Sequence, residues 1–140
     1  MKNLSLLVIA AFVFTSFVSN PDKTIKEIQF QNITFNQALA KAKKENKMIF
    51  MNVYAVWCGP CMMLKKTTFK TQTVADNFNK SFINIDINAE KGEGIELSKK
   101  FQVQAHPLML IINPSGKVEK RILGYVKEDQ LIKEVKNFLK

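Results

Sequence analysis

Cysteine is scarce in this chain of 140 residues, which has only Cys58 and Cys61. A scaffold of disulfides that close long loops is therefore excluded within one chain. The small loop between these two cysteines would add little stability if it were closed, so the pair is expected to serve redox exchange or metal binding. With a single histidine, His106, the chain falls short of the four ligands of a closed zinc site.

Arginine is scarcer still, since Arg121 is the only one, although the formal net charge is +9 from 21 Lys+Arg against 12 Asp+Glu. Nucleic-acid recognition favours arginine because its guanidinium makes paired hydrogen bonds to phosphates and bases. We therefore expect no nucleic-acid partner and interpret the charge as a solvated, lysine-rich surface.

Proline- or glycine-rich linkers and internal repeats are absent, and the length suits one compact domain rather than two. Residues 1–20 are predicted to be a signal peptide, because Lys2 precedes an uncharged apolar run from Leu4 to Val18 that is short for a membrane span. Phe17 is bulky for a residue beside a cleavage site, which leaves an uncleaved anchor as the alternative. Residues 21–140 are then the exported domain.

Helical and strand patterns alternate along this domain. Thr34 and Gln37 form a capping-box pattern that predicts a helix from Phe35 to Glu45. Apolar and alternating runs then predict strands at Met48 to Tyr54, Phe82 to Ile87, Leu108 to Ile112 and Val118 to Leu123. Further helices are predicted at Cys58 to Thr68, Val74 to Asn79, Glu93 to Phe101 and around Leu131 to Leu139. This order predicts a three-layer α/β/α sandwich with a mixed central sheet.

The motif Trp57-Cys58-Gly59-Pro60-Cys61 lies between a predicted buried strand and a helix. Free N–H groups and the dipole at a helix N-terminus favour a thiolate, so we expect the pKa of Cys58 to be lowered. Pro60 suits the first helical turn, Gly59 permits close approach of a partner, and Trp57 offers a flat surface. Cys58 is expected to be reachable and to attack first, while Cys61 is shielded and acts second.

The segment from Ala55 to Cys61 resembles the active-site segment of thioredoxins. The helix and strand before it, and the continuation through Phe69, resemble the C-terminal extracytoplasmic domain of the transmembrane thiol–disulfide interchange proteins. His106-Pro107 stands at the family's cis-proline position, and Gly124 follows the last strand as it does there. The likeness covers about residues 30–140.

This resemblance implies a thioredoxin fold and a protein-disulfide reductase without a cofactor or metal. It implies that a cis Pro107 lies against the Cys58–Cys61 pair and exposes the backbone of His106 to substrate. The partners would be disulfide-containing proteins and a membrane-bound electron donor, and we expect the chain to act as an extracytoplasmic monomer.

Three positions depart from the family pattern. Asn52 replaces the usual buried aspartate, and Phe82 is placed at the position of its lysine partner, so both charges are expected to be lost together. Because asparagine cannot accept the proton of Cys61, we expect slow resolution that Asn52→Asp accelerates; the alternative is that Asn52 is only a hydrogen-bonded amide of the core. His106 replaces an aliphatic residue or threonine and is expected either to tune the redox potential or to be an inconsequential loop residue.

Other functions remain open from the sequence. A disulfide oxidase or isomerase would use the same pair in the opposite or the exchanging direction. Two thiolates with methionine or histidine nearby would also suit a Cu(I)-handling module. A binding module that uses the groove beside Pro107 is a third alternative.

Overall fold

The computed structural model describes residues 27–140, so the predicted signal peptide lies outside the described residues. This described part contains five α-helices, four strands and two short 3-10 helices. The α-helices are α1 Phe35–Glu45, α2 Gly59–Lys66, α3 Gln72–Ser81, α4 Gly94–Lys100 and α5 Glu128–Val135. The strands are β1 Met48–Tyr54, β2 Phe82–Asn88, β3 Leu108–Ile112 and β4 Val118–Leu123. The 3-10 helices are Thr68–Lys70 and Lys136–Phe138.

The four strands form one sheet in the order β2-β1-β3-β4. β1 pairs in parallel with β2 and antiparallel with β3, and β4 pairs antiparallel with β3. The parallel pair needs the long α2–α3 crossover, whereas β3 and β4 are joined by the predicted tight turn at Gly116, whose φ is +88°. The predicted mixed sheet is confirmed.

The helices cover both faces of the sheet. α1 and α4 pack with the first face, where the three isoleucines of β2 lie, and α2, α3 and α5 pack with the second face. The predicted α/β/α sandwich is confirmed. At the start of α1, Thr34 Oγ1 accepts the N–H of Gln37 at 3.2 Å and Gln37 Oε1 accepts the N–H of Thr34 at 2.8 Å, so the predicted capping box is also confirmed.

An aromatic cluster fills the second face around Phe50. Its ring centroid lies 4.7 Å from that of Phe78 and 5.8 Å from that of Phe69, both edge to face. Phe30 and Phe82 complete the cluster at 6.2 and 6.3 Å. Edge-to-face pairs of this kind contribute about 1 kcal/mol each beyond their buried area. The cluster anchors the helical layer that carries the redox motif.

A segment before α1 covers the outer side of β2. The N–H of Gln31 donates to the carbonyl of Asn84 at 2.9 Å, and the N–H of Ile28 donates to the carbonyl of Phe69 at 2.9 Å. Asn84 is consequently buried. The backbone of this segment therefore covers Asn84 on β2.

Candidate active site

The redox motif begins where β1 ends. The N–H of Cys58 donates to the carbonyl of Ala55 at 3.2 Å, and Cys58 is then the N-cap residue of α2. Its Sγ accepts the N–H of Cys61 at 3.2 Å, where a serine or aspartate oxygen would ordinarily serve. Pro60 stands in the first turn, where its missing N–H removes no helical hydrogen bond. The sulfur of Cys58 thus lies at the positive end of the helix dipole.

Cys58 and Cys61 form a disulfide, with their Cα atoms 5.3 Å apart. Cys58 retains 5% exposure, whereas Cys61 has none. Both sulfurs pack with Ala55, and Tyr54 and Met62 cover this small cluster. A partner that approaches the disulfide from solvent therefore meets Cys58, through narrower access than the sequence suggested.

Trp57 is the most exposed large apolar side chain beside the disulfide, at 70%. Its Nε1 donates to Glu90 Oε1 at 2.8 Å, and its ring centroid lies 6.2 Å from that of His106 in an edge-to-face arrangement. These two contacts hold the indole in place while most of its surface remains accessible. The structure therefore brings His106 to the motif, and it adds Glu90, which the sequence analysis missed.

The loop before β3 supplies the other side of the site. The His106–Pro107 peptide bond is cis, as the resemblance implied. The carbonyl of Pro107 accepts the N–H of Gly124 at 2.8 Å, and Gly124 has a φ of +85°, a conformation that favours glycine. His106 Nδ1 is buried without a hydrogen-bond partner. Gly124 thus ties the end of β4 to the proline loop.

Gly59 lies in open space. A Cβ atom placed on it would meet no other atom within 4 Å. No neighbouring atom within the described chain therefore requires glycine there.

A polar cluster lies under α2, on the face of β1 that Asn52 shares with Phe50. Asn52 is fully buried, and its Nδ2 donates to Asp86 Oδ1 at 2.7 Å. The other carboxylate oxygen of Asp86 forms an ion pair with Lys65 Nζ. Lys65 Nζ also lies 3.1 Å from the centroid of the Tyr54 ring, a cation–π contact. Asn52 Oδ1 has no hydrogen-bond partner.

This cluster holds charges that the sequence analysis did not anticipate. The residue opposite Asn52 on β2 is Asp86, whereas Phe82 pairs with Met48. Positions 52 and 82 carry no charge, but a carboxylate on β2 and a lysine on α2 lie beside Asn52 as the pair Asp86 and Lys65. Lys65 follows Cys61 by four residues, one helical turn, and that spacing was the available signal.

Residues 27–140 contain neither a cluster of metal-ligating side chains nor a membrane-spanning helix. No group of three or more His, Cys, Asp or Glu side chains in this range is arranged to hold a metal ion. Within the same range, no helix has the length and apolar character needed to cross a membrane.

Comparison with known proteins places these features in a family. The model of the thioredoxin-like domain family matches residues 35–139. The thiol:disulfide interchange protein DsbD of Campylobacter jejuni is 26% identical over 102 residues, which are 72% of this chain and 18% of that protein. The chain thus spans less than a fifth of the length of this curated relative.

Two solved structures share the fold. The first is a Bacteroides thetaiotaomicron protein provisionally described as a disulphide-isomerase, with 44% identity, a TM-score of 0.72 and coverage of 79% of this chain and 92% of that one. The second is the oxidised C-terminal domain of Neisseria meningitidis DsbD, with 24% identity, a TM-score of 0.64 and coverage of 79% and 98%.

The chain thus combines a thioredoxin fold with a Cys-Gly-Pro-Cys disulfide at the start of a helix. This chain belongs to the thioredoxin-like domain family, and within it resembles the C-terminal domains of the DsbD interchange proteins. The family and the fold that the sequence predicted are both confirmed.

Proposed function

We propose that this chain is exported and reduces disulfides of other proteins, with Cys58 as the attacking sulfur and Cys61 as the resolving one. The observation that carries this proposal is the position of Cys58 Sγ, which caps α2 and accepts the N–H of Cys61. The free N–H groups at the start of α2, that of Cys61 among them, stabilise a thiolate together with the helix dipole. They therefore lower the pKa of the Cys58 thiol in the reduced protein.

The reaction has two exchanges. The Cys58 thiolate attacks one sulfur of a substrate disulfide, forms a mixed disulfide and releases the other substrate sulfur as a thiolate. Cys61 then loses its proton and attacks Cys58 Sγ, so that the Cys58–Cys61 bond forms and the second substrate sulfur leaves with its electron pair. The substrate is reduced by two electrons, and the enzyme is left in the disulfide form that the structure contains.

Substrate binding would use the surface between Trp57 and the proline loop. Trp57 and Val56 are 70% and 57% exposed, which supplies an apolar rim on one side of Cys58. On the other side, the backbone of His106 beside Pro107 would pair with an extended segment of substrate, as the family resemblance implies. Gly59, where a Cβ atom would meet nothing within 4 Å, would let the backbone of that segment come close to the motif.

The motif favours electron flow from this chain to its substrates. The Gly59-Pro60 pair resembles that of reducing family members. A reductase outside the cytoplasm works against an oxidising environment, and it therefore needs electrons from a donor in the membrane. The apolar segment in residues 1–20 is proposed to be the signal that exports the chain to such a donor.

Disulfide isomerisation is the second candidate. The solved structure with 44% identity is provisionally described as a disulphide-isomerase, and the exposed rim beside Cys58 would also admit a misfolded chain. Reduction of insulin and refolding of scrambled ribonuclease distinguish the two activities, with the redox potential of the Cys58–Cys61 pair measured in parallel. We expect rapid insulin reduction, slow ribonuclease refolding and a reducing potential. The opposite pattern would favour isomerisation.

The role of each sulfur is tested by trapping. A Cys61→Ala variant should retain substrates as mixed disulfides on Cys58, which are identified after non-reducing electrophoresis. The matched control, Cys58→Ser with Cys61→Ala, should trap nothing, and Cys58→Ser alone should lose insulin reduction. The rate of iodoacetamide alkylation as a function of pH gives the pKa of Cys58. An ordinary cysteine value would contradict the proposed mechanism.

A further inference from the structure

We propose that Asp86 takes up the proton that Cys61 must lose during resolution, with Asn52 and Lys65 as positioning residues. The inference rests on the proposed function, because it concerns the second exchange of that reaction. Asp86 belongs to β2, so the proton acceptor would come from the strand beside the one that carries the aspartate in typical thioredoxins.

The contacts connect Asp86 to the redox pair by two routes. Along β1, Asn52 binds Asp86 Oδ1 at 2.7 Å and shares its face of the strand with Tyr54, which packs against the disulfide cluster. Along α2, Lys65 lies one turn after Cys61, and its Nζ pairs with Asp86 and contacts the Tyr54 ring. The carboxylate is therefore held at both of its oxygens, beneath the helix that carries Cys61.

Asn52 has an unused acceptor in the disulfide form. Its side chain is fully buried, and its Oδ1 has no partner, an arrangement that costs free energy in the disulfide form. Before resolution Cys61 carries an S–H group, which is absent from the disulfide. We assign Asn52 Oδ1 as the acceptor that orients this thiol toward Cys58.

Asp86 also has access to solvent, which a proton acceptor needs. It lines, together with Lys65, an open cavity of about 320 Å³, and it borders a second cavity of similar size. Volumes of this size admit several water molecules. The charged and titratable groups around these cavities and this contact are Lys65, Tyr54, Glu27, Lys70, Lys91 and Glu93.

Two of the other charged groups have partners of their own. Glu27 pairs with Lys70 at 3.3 Å, and Glu93 accepts the N–H of Phe35 at 3.0 Å. Lys65 is therefore the cation that contacts Asp86 directly, and the ion pair holds the carboxylate in position.

In the proposed step, the proton of the Cys61 thiol passes to the Asp86 carboxylate while Cys61 sulfur attacks Cys58 Sγ. The Cys58–Cys61 bond forms, the bond from Cys58 to substrate breaks, and the substrate sulfur leaves as a thiolate. The proton on Asp86 is then released to the cavity, and no further oxidant or reductant is required.

Stopped-flow mixing of the reduced protein with Ellman's reagent tests this step apart from the first exchange. The first thionitrobenzoate is released when Cys58 attacks, and the second when Cys61 resolves the mixed disulfide. Both phases are followed by absorbance from acidic to alkaline pH. A missing first phase would contradict the proposed function itself, whereas the inference concerns the second phase alone.

The informative variant is Asp86→Asn, with Glu134→Gln as the matched control, because Glu134 forms an ion pair with Lys120 away from the redox motif. We expect Asp86→Asn to keep the first phase and to slow the second about 10- to 100-fold near neutral pH. The second phase should recover as rising pH deprotonates Cys61 without help. A second phase like that of Glu134→Gln, or one slowed equally at every pH, would overturn the inference.

An exchange variant separates proton transfer from a structural role. Asn52→Asp combined with Asp86→Asn returns the carboxylate to β1 and keeps one amide opposite one acid. It should restore most of the lost second-phase rate, and failure to do so would overturn the inference. Because Asp86→Asn leaves Lys65 without its carboxylate, Asp86→Asn with Lys65→Gln provides the same test if the single variant does not fold.

Discussion

Phe50 and Asn52 lie two residues apart on the same face of β1, and both are fully buried. Phe50 is surrounded by aromatic rings and has only apolar neighbours to satisfy. Asn52 binds a carboxylate and still leaves an oxygen without a partner. β1 therefore has one position with apolar surroundings and, two residues further on, a buried polar residue whose unpartnered oxygen costs free energy.

Apolar packing at Phe50 holds the fold together, whereas the polar side chain of Asn52 serves the redox site. Core packing favours apolar side chains that fill space, and the polar end of β1 departs from that rule beside the two sulfurs. Departures of this kind in natural proteins concentrate at functional sites. The two ends should accordingly respond to mutation in different observables, stability at Phe50 and kinetics at Asn52.

The largest expected loss of stability comes from Phe50→Ala. Removing the central ring of the aromatic cluster should lower the free energy of unfolding by about 3–5 kcal/mol, measured by urea denaturation. Insulin reduction per folded molecule should change little, because the ring contacts of Phe50 in this cluster are with other phenylalanines and not with the sulfurs. Loss of activity in a fully folded variant would erase the distinction between the two ends.

Asn52→Asp brings a second carboxylate against Asp86, at a contact of 2.7 Å in the present structure. We expect a loss of about 2 kcal/mol in the free energy of unfolding near neutral pH. Repulsion raises the pKa of the pair in the folded state, so the loss should shrink as pH falls and one carboxyl takes up a proton. Denaturation at several pH values measures this trend, and a loss that does not depend on pH would contradict it.

The sequence alone predicted faster resolution in the same Asn52→Asp variant. With Asp86 already beside the site, we now expect little acceleration, and stopped-flow kinetics decides between the two expectations. A marked acceleration would return the role of proton acceptor to position 52.

A smaller effect is expected from Trp57→Ala. The exposed indole contributes little to folding, so stability should change by less than about 0.5 kcal/mol. The KM for insulin should rise about fivefold, which corresponds to about 1 kcal/mol of lost substrate binding. The control variant Glu90→Gln keeps an acceptor for Trp57 Nε1, so its KM should stay near that of the wild type. An unchanged KM in Trp57→Ala would exclude the proposed role of Trp57 in substrate binding.

His106→Val should give the smallest change. If the imidazole stabilises the Cys58 thiolate, its removal makes the pair more reducing by about 10–20 mV. Equilibration with glutathione measures the potential. An identical potential in both proteins would leave His106 as a loop residue that packs on Trp57.

Local patterns predicted most of the fold. β1, β3 and β4 have the predicted bounds, and α1 begins at its capping box. The prediction for α3 was too short, because Thr71 caps it and Gln72 already belongs to the helix. The helix predicted at Cys58 to Thr68 instead ends at Lys66, where a 3-10 helix takes over.

The contact between Asn52 and Asp86 could not be predicted from the sequence because it depends on strand register. Asp86 and Asn52 are separated by two α-helices and a 3-10 helix along the chain, and only the pairing of β1 with β2 puts them opposite each other. The backbone hydrogen bond from Gln31 to β2 could not be predicted either, because backbone hydrogen bonds leave no pattern of side chains in the sequence. The motif itself was accessible because its five residues are contiguous.

Because the sulfur of Cys58 caps α2, the amide proton of Cys61 should indicate whether the redox pair is oxidised or reduced. The N–H of Cys61 points at Cys58 Sγ, which is neutral in the disulfide and becomes anionic when the thiolate forms. The proton of that amide should therefore shift and exchange more slowly with solvent once the protein is reduced. A single NMR resonance would then follow electron transfer at this helix, without any label.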